Sequence, residues 1–265
     1  MEDIAVSVVV LVGIVLFCEA GRQISKSFKA FNKDYYVYIA EVFSTLQLCA
    51  CSQELKLLGE SGRAEPYIGL TFIYLITVVH VSTFRGALCN PSSALEQLYR
   101  GSLRPSASLA LVVCQLCAAW TSRYSALGLW SFGLSDLHIS HKSVGYKCSS
   151  PINASLPVAA AVEMSCVFVI QAVVLNIGKF GEHLRVHIIA AVITALVYAG
   201  GSITGAVMNP ALAFSIQFPC SGHSFLEYAF VFWLGPVLGM ASAIAVFERI
   251  IPCLLKRNSC MKKIQ

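Results

Sequence analysis

The sequence predicts an all-α integral membrane protein, a bundle of six core transmembrane helices with two re-entrant half-helices and an extra N-terminal helix. Hydrophobic residues make up 57% of the 265 residues and charged residues 12%, whereas soluble domains carry about 25% charged residues. The charges are clustered, and they leave apolar stretches close to the roughly 20 residues that cross a bilayer. A pair of Asn-Pro dipeptides, beginning at Asn90 and Asn209, opens two apolar segments that are too short to cross.

Seven longer apolar spans are predicted, at residues 4–20, 35–53, 67–83, 106–128, 156–178, 184–201 and 226–251. The first is apolar only from Ile4 to Phe17, because Glu19 and Arg22 end it early. Its start is acidic, whereas a signal peptide has a basic start. We therefore expect an uncleaved extra span whose N-terminus lies in the lumen, with an interfacial helix as the alternative.

The basic residues predict the orientation of the chain. With segment 21–34 in the cytosol and the sides alternating afterwards, most of the 19 lysines and arginines are cytosolic, as the positive-inside rule requires. The net charge of +5 is thereby attributed to membrane orientation, and no nucleic-acid partner is expected. Three regions follow: an apolar helix with a basic cytosolic segment (1–34), the main membrane domain (35–252) and a basic cytosolic tail (253–265).

A weak internal repeat relates the two halves of the main domain. Glu41 precedes Asn90 by 49 residues, and Glu163 precedes Asn209 by 46. Three spans separate the two glutamates, so the halves must have opposite orientations. Inverted repeats with interrupted helices place their functional site near the membrane midplane. A glutamate inside a span is costly unless it is partnered, so we expect both glutamates to be structural.

Each Asn-Pro dipeptide suits the start of a helix, with asparagine as N-cap and Pro91 or Pro210 at the first helical position. A helix of about ten residues is roughly 15 Å long, half the hydrocarbon core. Two such helices entering from opposite sides would meet with their N-termini facing, and each N-terminus carries roughly +0.5 charge. Such a meeting point repels cations, while the asparagine side chains can donate hydrogen bonds to water or a hydroxyl. One Asn-Pro is ordinarily only a cap, but two in corresponding places favour this interpretation.

This arrangement resembles the aquaporin family from about Glu41 to the end of the chain. The final span, with Gly235-Pro236, resembles that family's last helix. Four stretches are similar to the unorthodox aquaporin-11-like branch: residues 46–49, 122–124, 198–202 and 218–220. The resemblance implies that domain 35–252 is a passive channel for water and small neutral solutes such as glycerol or hydrogen peroxide. It also implies a homotetramer in lipid with one pore per subunit, no enzyme activity and no cofactor.

Family roles transfer to matching positions. The resemblance implies that Asn90 and Asn209 are the paired asparagines of the pore. It implies that Pro91 and Pro210 stack the two half-helices on each other. It also implies that Glu41 and Glu163 accept hydrogen bonds from the re-entrant loops. Each motif ends in a third residue. It is Ala211 in the second motif, whereas Ser92 stands in the first where the family usually has alanine.

The expected selectivity filter departs further from the family. Leu212 stands where orthodox members have arginine, and counting back from the asparagines gives Leu70, Val197 and Ala206 for the other positions. The predicted filter is therefore apolar. Pore selectivity depends on diameter, hydrogen-bonding groups and electrostatic barriers. A wide apolar ring would pass glycerol-like solutes or hydrogen peroxide, whereas a narrow one would dewet and close.

Several residues outside the membrane spans carry further predictions. Asn153 begins a glycosylation pattern in the loop 129–155, which the orientation places in the lumen. Cys148 and Cys220 are also lumenal, and either a bond between them or a free or intersubunit Cys220 is compatible with the sequence. Lys262 and Lys263 match a dilysine retrieval signal, with an ordinary basic tail as the alternative. The resemblance implies the endoplasmic reticulum or another intracellular membrane.

Two other function classes remain open from the sequence. Secondary transporters also use inverted repeats and broken helices, but they usually need coupling carboxylates at the midplane. A non-conducting member with a structural role is the third possibility. The 11 cysteines lack the spacing of a zinc site, and His138 with His141 in one loop is weak evidence for a metal, so no metal site is predicted.

Overall fold

The computed structural model describes residues 2–27 and 33–261, and within these ranges it contains helices and no β-strand. The first nine helices are α1 (Glu2–Ser27), α2 (Lys33–Glu60), α3 (Pro66–Thr83), α4 (Pro91–Tyr99), α5 (Pro105–Ser131), α6 (Asp136–Ser143), α7 (Leu156–Asn176), α8 (Glu182–Thr204) and α9 (Pro210–Ile216). The last long helix is continuous but changes winding, as α10 (Phe225–Ala229), a π-helical turn (Phe230–Leu234), α11 (Gly235–Ile244), a second π-helical turn (Ala245–Ile250) and α12 (Ile251–Met261).

Six helical stretches in the described ranges are long and apolar enough to cross a membrane: Glu2–Ser27, Pro66–Thr83, Pro105–Ser131, Leu156–Lys179, Glu182–Thr204 and Phe225–Lys256. The seventh long helix, α2, has 28 residues but a more polar composition. Its polar side chains are buried against neighbouring helices, with Glu41, Gln47 and Glu54 each no more than 1% exposed. The predicted all-α bundle with an extra N-terminal helix is therefore confirmed, and α2 is its polar inner helix.

The extra helix α1 runs alongside α2 over the height of the bundle. At its start, the carboxylate of Asp3 pairs with Arg63 at 3.1 Å and accepts a hydrogen bond from the amide of Leu137 at 3.0 Å. Near its other end, Glu19 pairs with Arg85 at 2.6 Å. The two ends of α1 thus contact opposite ends of the bundle, and α1 is one of the helices long and apolar enough to cross a membrane.

The half-helices α4 and α9 begin where the Asn-Pro dipeptides predict. Asn90 caps α4 by accepting from the amide of Ser92 at 2.9 Å, and Asn209 caps α9 by accepting from the amide of Ala211 at 2.9 Å. The prolines occupy the first turn of each helix, where a missing N–H costs nothing. At nine and seven residues these helices are too short to cross a membrane.

The last long helix packs closely on α7 through two glycines. A Cβ added at Gly239 would collide with the carbonyl oxygen of Met164, and one at Gly235 would lie 3.0 Å from the carbonyl oxygen of Ala160. Pro236 follows directly and removes one helical hydrogen bond, beside the π-helical turn at Phe230–Leu234. Gly235 and Gly239 therefore let the final helix approach α7, which carries Glu163.

Candidate functional site

The first re-entrant loop, residues 85–89, leads from α3 to the cap of α4. The carboxylate of Glu41 on α2 accepts a hydrogen bond from the amide of Leu88 at 2.9 Å and another from the amide of Cys89. A third donor is Gln115 on α5, at 2.7 Å. Glu41 is buried, so these partners satisfy a carboxylate that would otherwise be costly to bury.

The second re-entrant loop, residues 205–208, is held in the same way. Glu163 on α7 accepts from the amides of Val207 at 3.0 Å and Met208 at 2.7 Å, and from the hydroxyl of Thr204 at 2.6 Å. In both loops the bonded amides belong to the two residues immediately before the N-cap asparagine. The sequence repeat is thus reproduced in the hydrogen bonding of the two loops.

The two half-helices meet at what we call the asparagine junction, formed by Asn90, Asn209 and the carbonyl groups of Cys89 and Met208. The side-chain amide of Asn209 donates to the carbonyl oxygen of Cys89 at 2.8 Å, and that of Asn90 lies 3.5 Å from the carbonyl oxygen of Met208. Cys89 and Met208 have left-handed backbones, with φ of 54° and 58°. This uncommon conformation turns each carbonyl toward the opposite asparagine.

The asparagine junction offers donors at the positive ends of two helices. Each side-chain oxygen caps its own helix, and each side-chain nitrogen carries two hydrogens, of which one bonds the opposite loop. One N–H per asparagine therefore remains for another acceptor. Because the helix N-termini add positive potential, the junction favours the oxygen of a neutral solute and opposes a cation.

The four predicted filter positions are apolar and lie on separate elements. Ala206 is buried in the second loop, and Leu212 lies in the first turn of α9, packed against two buried clusters around Ala159 and Ala119. Leu70 and Val197 are half-buried on α3 and α8, two helices that pack against each other.

The C-terminal end of the second half-helix is linked to the loop 144–155. Cys148 and Cys220 form a disulfide, and the amide of Ser150 donates to the carbonyl of Ser221 at 2.7 Å. Arg123 on α5 donates to the carbonyl of Phe218 at 2.9 Å, close to the C-terminal end of α9. A cation there suits the negative end of the helix dipole.

Asn153, the predicted glycosylation position, is exposed in the same loop. Its side-chain amide donates to the carbonyl of Ser202 at 3.0 Å, and its backbone amide donates to the carbonyl of Ile203 at 2.9 Å. The side chain is thus already hydrogen-bonded to the end of α8. Lys262 and Lys263 of the predicted retrieval signal lie outside the described residues.

One buried cluster was not predicted from the sequence. Glu54, near the C-terminal end of α2, accepts hydrogen bonds from Ser7 at 2.6 Å and Trp130 at 2.7 Å, and its carboxylate lies 3.2 Å from the Nε2 atom of His138. These residues join α1, α2, α5 and α6. His138 therefore pairs with a carboxylate inside the protein, and in the described ranges no group of three or more His, Cys, Asp or Glu is arranged to hold a metal.

His141, one helical turn after His138, packs edge-on against the ring of Trp130. Burial lowers the pKa of His141 below its usual value, and the carboxylate of Glu60 opposes this shift. The imidazole therefore favours its neutral form here more than it would in water.

Arg22 differs from the sequence expectation. The sequence places it in the basic segment 21–34 after the first span, whereas in the structure α1 continues to Ser27 and the guanidinium of Arg22 is 0% exposed. It bonds Glu19 at 3.0 Å, Ser44 at 3.3 Å and Gln47 at 2.7 Å. The sequence signal for this burial is the spacing of Glu19 and Arg22, because residues three apart on a helix can form an ion pair beside an apolar span.

Comparison with known proteins gives the family. The family model described as Major intrinsic protein matches residues 31–247. The chain belongs to the major intrinsic protein family. Family membership identifies it as a membrane channel and not an enzyme, and with the apolar helices above it identifies an integral, multi-pass membrane protein.

Relatives in the major intrinsic protein family cover almost the whole chain. Aquaporin-11 of Equus caballus is 38% identical over 99% of this chain and 96% of its own length, and Aquaporin-11 of Homo sapiens is 35% identical over the same shares. Aquaporin-12 of Mus musculus is 32% identical over 97% of this chain and 90% of its own. The fold is similar to that of the aquaglyceroporin from Plasmodium falciparum, with a TM-score of 0.67 and 16% identity, covering 83% of this chain and 97% of that one.

Proposed function

We propose that the chain is a passive channel for water and small neutral solutes, with a path that passes the asparagine junction. The observation that carries this proposal is the reciprocal contact of Asn90 and Asn209 with the opposite loops, at 3.5 and 2.8 Å. Non-helical backbone at membrane depth is tolerated where it is buried in protein or lines a wet cavity. The free N–H groups of the asparagines would then replace part of the hydration of a solute.

The same proposal assigns Leu70, Val197, Ala206 and Leu212 to the narrow filter. None of these side chains can form a hydrogen bond. Such a ring gives water little advantage over glycerol or hydrogen peroxide, because selectivity between small neutral solutes depends on width and lining polar groups. We therefore expect weak discrimination between the three.

The function is tested by stopped-flow measurement on proteoliposomes, with water, glycerol and hydrogen peroxide tried in turn. We expect flux of at least one solute above that of protein-free vesicles, proportional to its gradient and independent of any ion gradient. Flux that saturates or requires an ion gradient would instead identify a transporter. A folded, reconstituted protein without flux for all three solutes would contradict the proposal and favour a structural role.

The filter assignment is tested with Leu212→Arg, compared with Leu212→Ala. A guanidinium narrows the ring and adds five donors, so glycerol flux should fall by about tenfold relative to water, which corresponds to about 1.4 kcal/mol. The alanine variant should keep or raise glycerol flux. Equal solute ratios in the wild type and both variants, with folding verified by thermal melting, would remove Leu212 from the filter.

The proposal also covers assembly and location. A homotetramer in lipid, each subunit with its own pore, accords with the many exposed apolar side chains on the outer helices, such as Leu109, Leu184 and Tyr198. The dilysine pattern at Lys262 and Lys263 favours the endoplasmic reticulum or another intracellular membrane. Glycosylation at Asn153 would be compatible with a lumenal loop, and endoglycosidase treatment tests it by a shift in gel mobility.

A further inference from the structure

Helix α1 lies outside the part of the chain that the family model matches. The family model begins at residue 31, whereas α1 ends at Ser27. Yet α1 is built into the bundle, because the guanidinium of Arg22 is fully buried between Glu19, Ser44 and Gln47. A buried charge is tolerated only with good partners, so these bonds fix the register of α1 against α2.

The two re-entrant loops differ at the fifth position before the asparagine. Before the second loop this position is Thr204, the last residue of α8, whose buried hydroxyl donates to Glu163 at 2.6 Å and accepts from the amide of Ala206 at 3.1 Å. The hydroxyl of Thr204 therefore stabilises the second loop from inside the main bundle. In the first loop the position is Arg85, which has no hydroxyl and whose side chain is 42% exposed.

Arg85 forms an ion pair with α1. Its guanidinium donates to the Oε1 atom of Glu19 at 2.6 Å, while the Oε2 atom of Glu19 accepts from Arg22 at 3.0 Å. The backbone of Arg85 is left-handed, with φ of 52°, a strained conformation for a non-glycine residue that persists only when its surroundings enforce it. Glu19 thus connects the buried anchor Arg22 to the strained first residue of the loop.

A second tether supports the same segment. Gln47, which accepts from Arg22 at 2.7 Å, donates its own side-chain amide to the hydroxyl of Thr83 at 3.1 Å. Thr83 is the last residue of α3, two residues before Arg85. Both bonds lead from Arg22 to the start of the first loop, so a shift of α1 would be transmitted to the loop.

We propose that α1 is a brace for the first re-entrant loop, and that Glu19 acts as a positioning residue through Arg85. The brace takes the place of the internal hydroxyl that the second loop has in Thr204. The expected effect of the brace on solute flux rests on the proposed channel function. Its expected effect on the conformation of the first loop does not.

The test uses Arg85→Gln, with Arg63→Gln as a matched control. Both arginines pair with a carboxylate of α1, at 2.6 and 3.1 Å, and their side chains are 42% and 45% exposed. Of these two arginines, only Arg85 lies in a re-entrant loop. The first readout is the rate at which N-ethylmaleimide alkylates Cys89, which is buried in that loop, measured by peptide mass spectrometry on the full chain in membranes.

We expect Arg85→Gln to raise the alkylation rate of Cys89 by roughly fivefold, which is the rate equivalent of losing one exposed ion pair at the upper end of the usual range. Solute flux should change by a similar factor. Arg63→Gln should change neither, and Arg85→Lys, which keeps the charge, should restore the slow rate. Equal Cys89 alkylation in the wild type, Arg85→Gln and Arg63→Gln would overturn the brace. Because alkylation is read without flux, this result is separate from failure of the channel proposal.

Discussion

Replacing Glu163 with alanine is expected to abolish conduction and to lower the stability of the protein strongly. The carboxylate accepts from the hydroxyl of Thr204 and the amides of Val207 and Met208, and all of these bonds lie inside the bundle. Each buried donor left without a partner costs about 1–3 kcal/mol. Three such donors approach the roughly 5–15 kcal/mol by which native proteins are usually stable.

The geometry of the second loop makes this loss worse. Ala206 and Met208 both have left-handed backbones, with φ of 46° and 58°, and each such residue costs about 1–2 kcal/mol. Without Glu163, the hydrogen bonds that offset this strain are lost. The loop should then relax, and the carbonyl of Met208 should turn away from Asn90. Thermal melting in detergent and stopped-flow flux after reconstitution measure the two effects.

Glu248→Ala is the control for Glu163→Ala. Its carboxylate pairs with Arg100 at 2.7 Å on the surface, with the two side chains 28% and 37% exposed. Removing an exposed pair costs about 0–1 kcal/mol, so the melting temperature and flux should change little. If Glu163→Ala melts like Glu248→Ala and still conducts, the carboxylate does not support the loop.

The two loop glutamates were identifiable from the sequence because their chemistry is exceptional. A carboxylate inside an apolar span needs a partner, and Glu41 and Glu163 precede the two Asn-Pro dipeptides by similar distances. The half-helices were identifiable for a similar reason, since asparagine and proline specify the first turn. These features depend on local sequence and spacing, and the structure has the expected elements in the expected order.

The buried charges at the contact between α1 and α2 could not be predicted from the sequence. Glu54 falls one residue beyond the predicted span 35–53, and Arg22 falls beyond the span 4–20, so both resemble ordinary charges at a membrane surface. In the structure α2 continues to Glu60 and α1 to Ser27, and neighbouring helices cover both charges. Whether a charge near the end of a helix is buried depends on the rotation and packing of other elements, which hydropathy does not encode.

The bonds of Arg123 illustrate the same limit. The sequence gives only an arginine in an apolar span, next to Ser122. In the structure its guanidinium donates to the carbonyl of Phe218, 95 residues away. The pairing of Cys148 with Cys220 is likewise a contact over 72 residues. Spacing left alternatives open for Cys220, because only the approach of two distant loops chooses between them.

Asn209→Asp is expected to reduce neutral-solute flux by at least about tenfold while leaving the protein folded, a change of about 1.4 kcal/mol or more in the barrier. The substitution keeps the side-chain oxygen that accepts from Ala211 at 2.9 Å, so the cap of α9 survives. It removes the N–H that donates to the carbonyl of Cys89 at 2.8 Å and puts a carboxylate oxygen there instead. Two oxygens then repel each other in the asparagine junction, and the negative charge cancels the positive potential of the two helix ends.

The matching change in the other half, Asn90→Asp, should have a smaller effect. The side-chain nitrogen of Asn90 lies 3.5 Å from the carbonyl of Met208, at the limit of a hydrogen bond, so less is lost there than at Asn209. Asn176→Asp supplies the control, because that residue is exposed at the end of α7 and donates only to the carbonyl of Ala172. Stopped-flow rates should therefore fall in the order Asn176→Asp, Asn90→Asp, Asn209→Asp. Equal rates for all three folded variants would mean that solutes do not pass the asparagine junction, since no path through it could ignore a new charge at its centre.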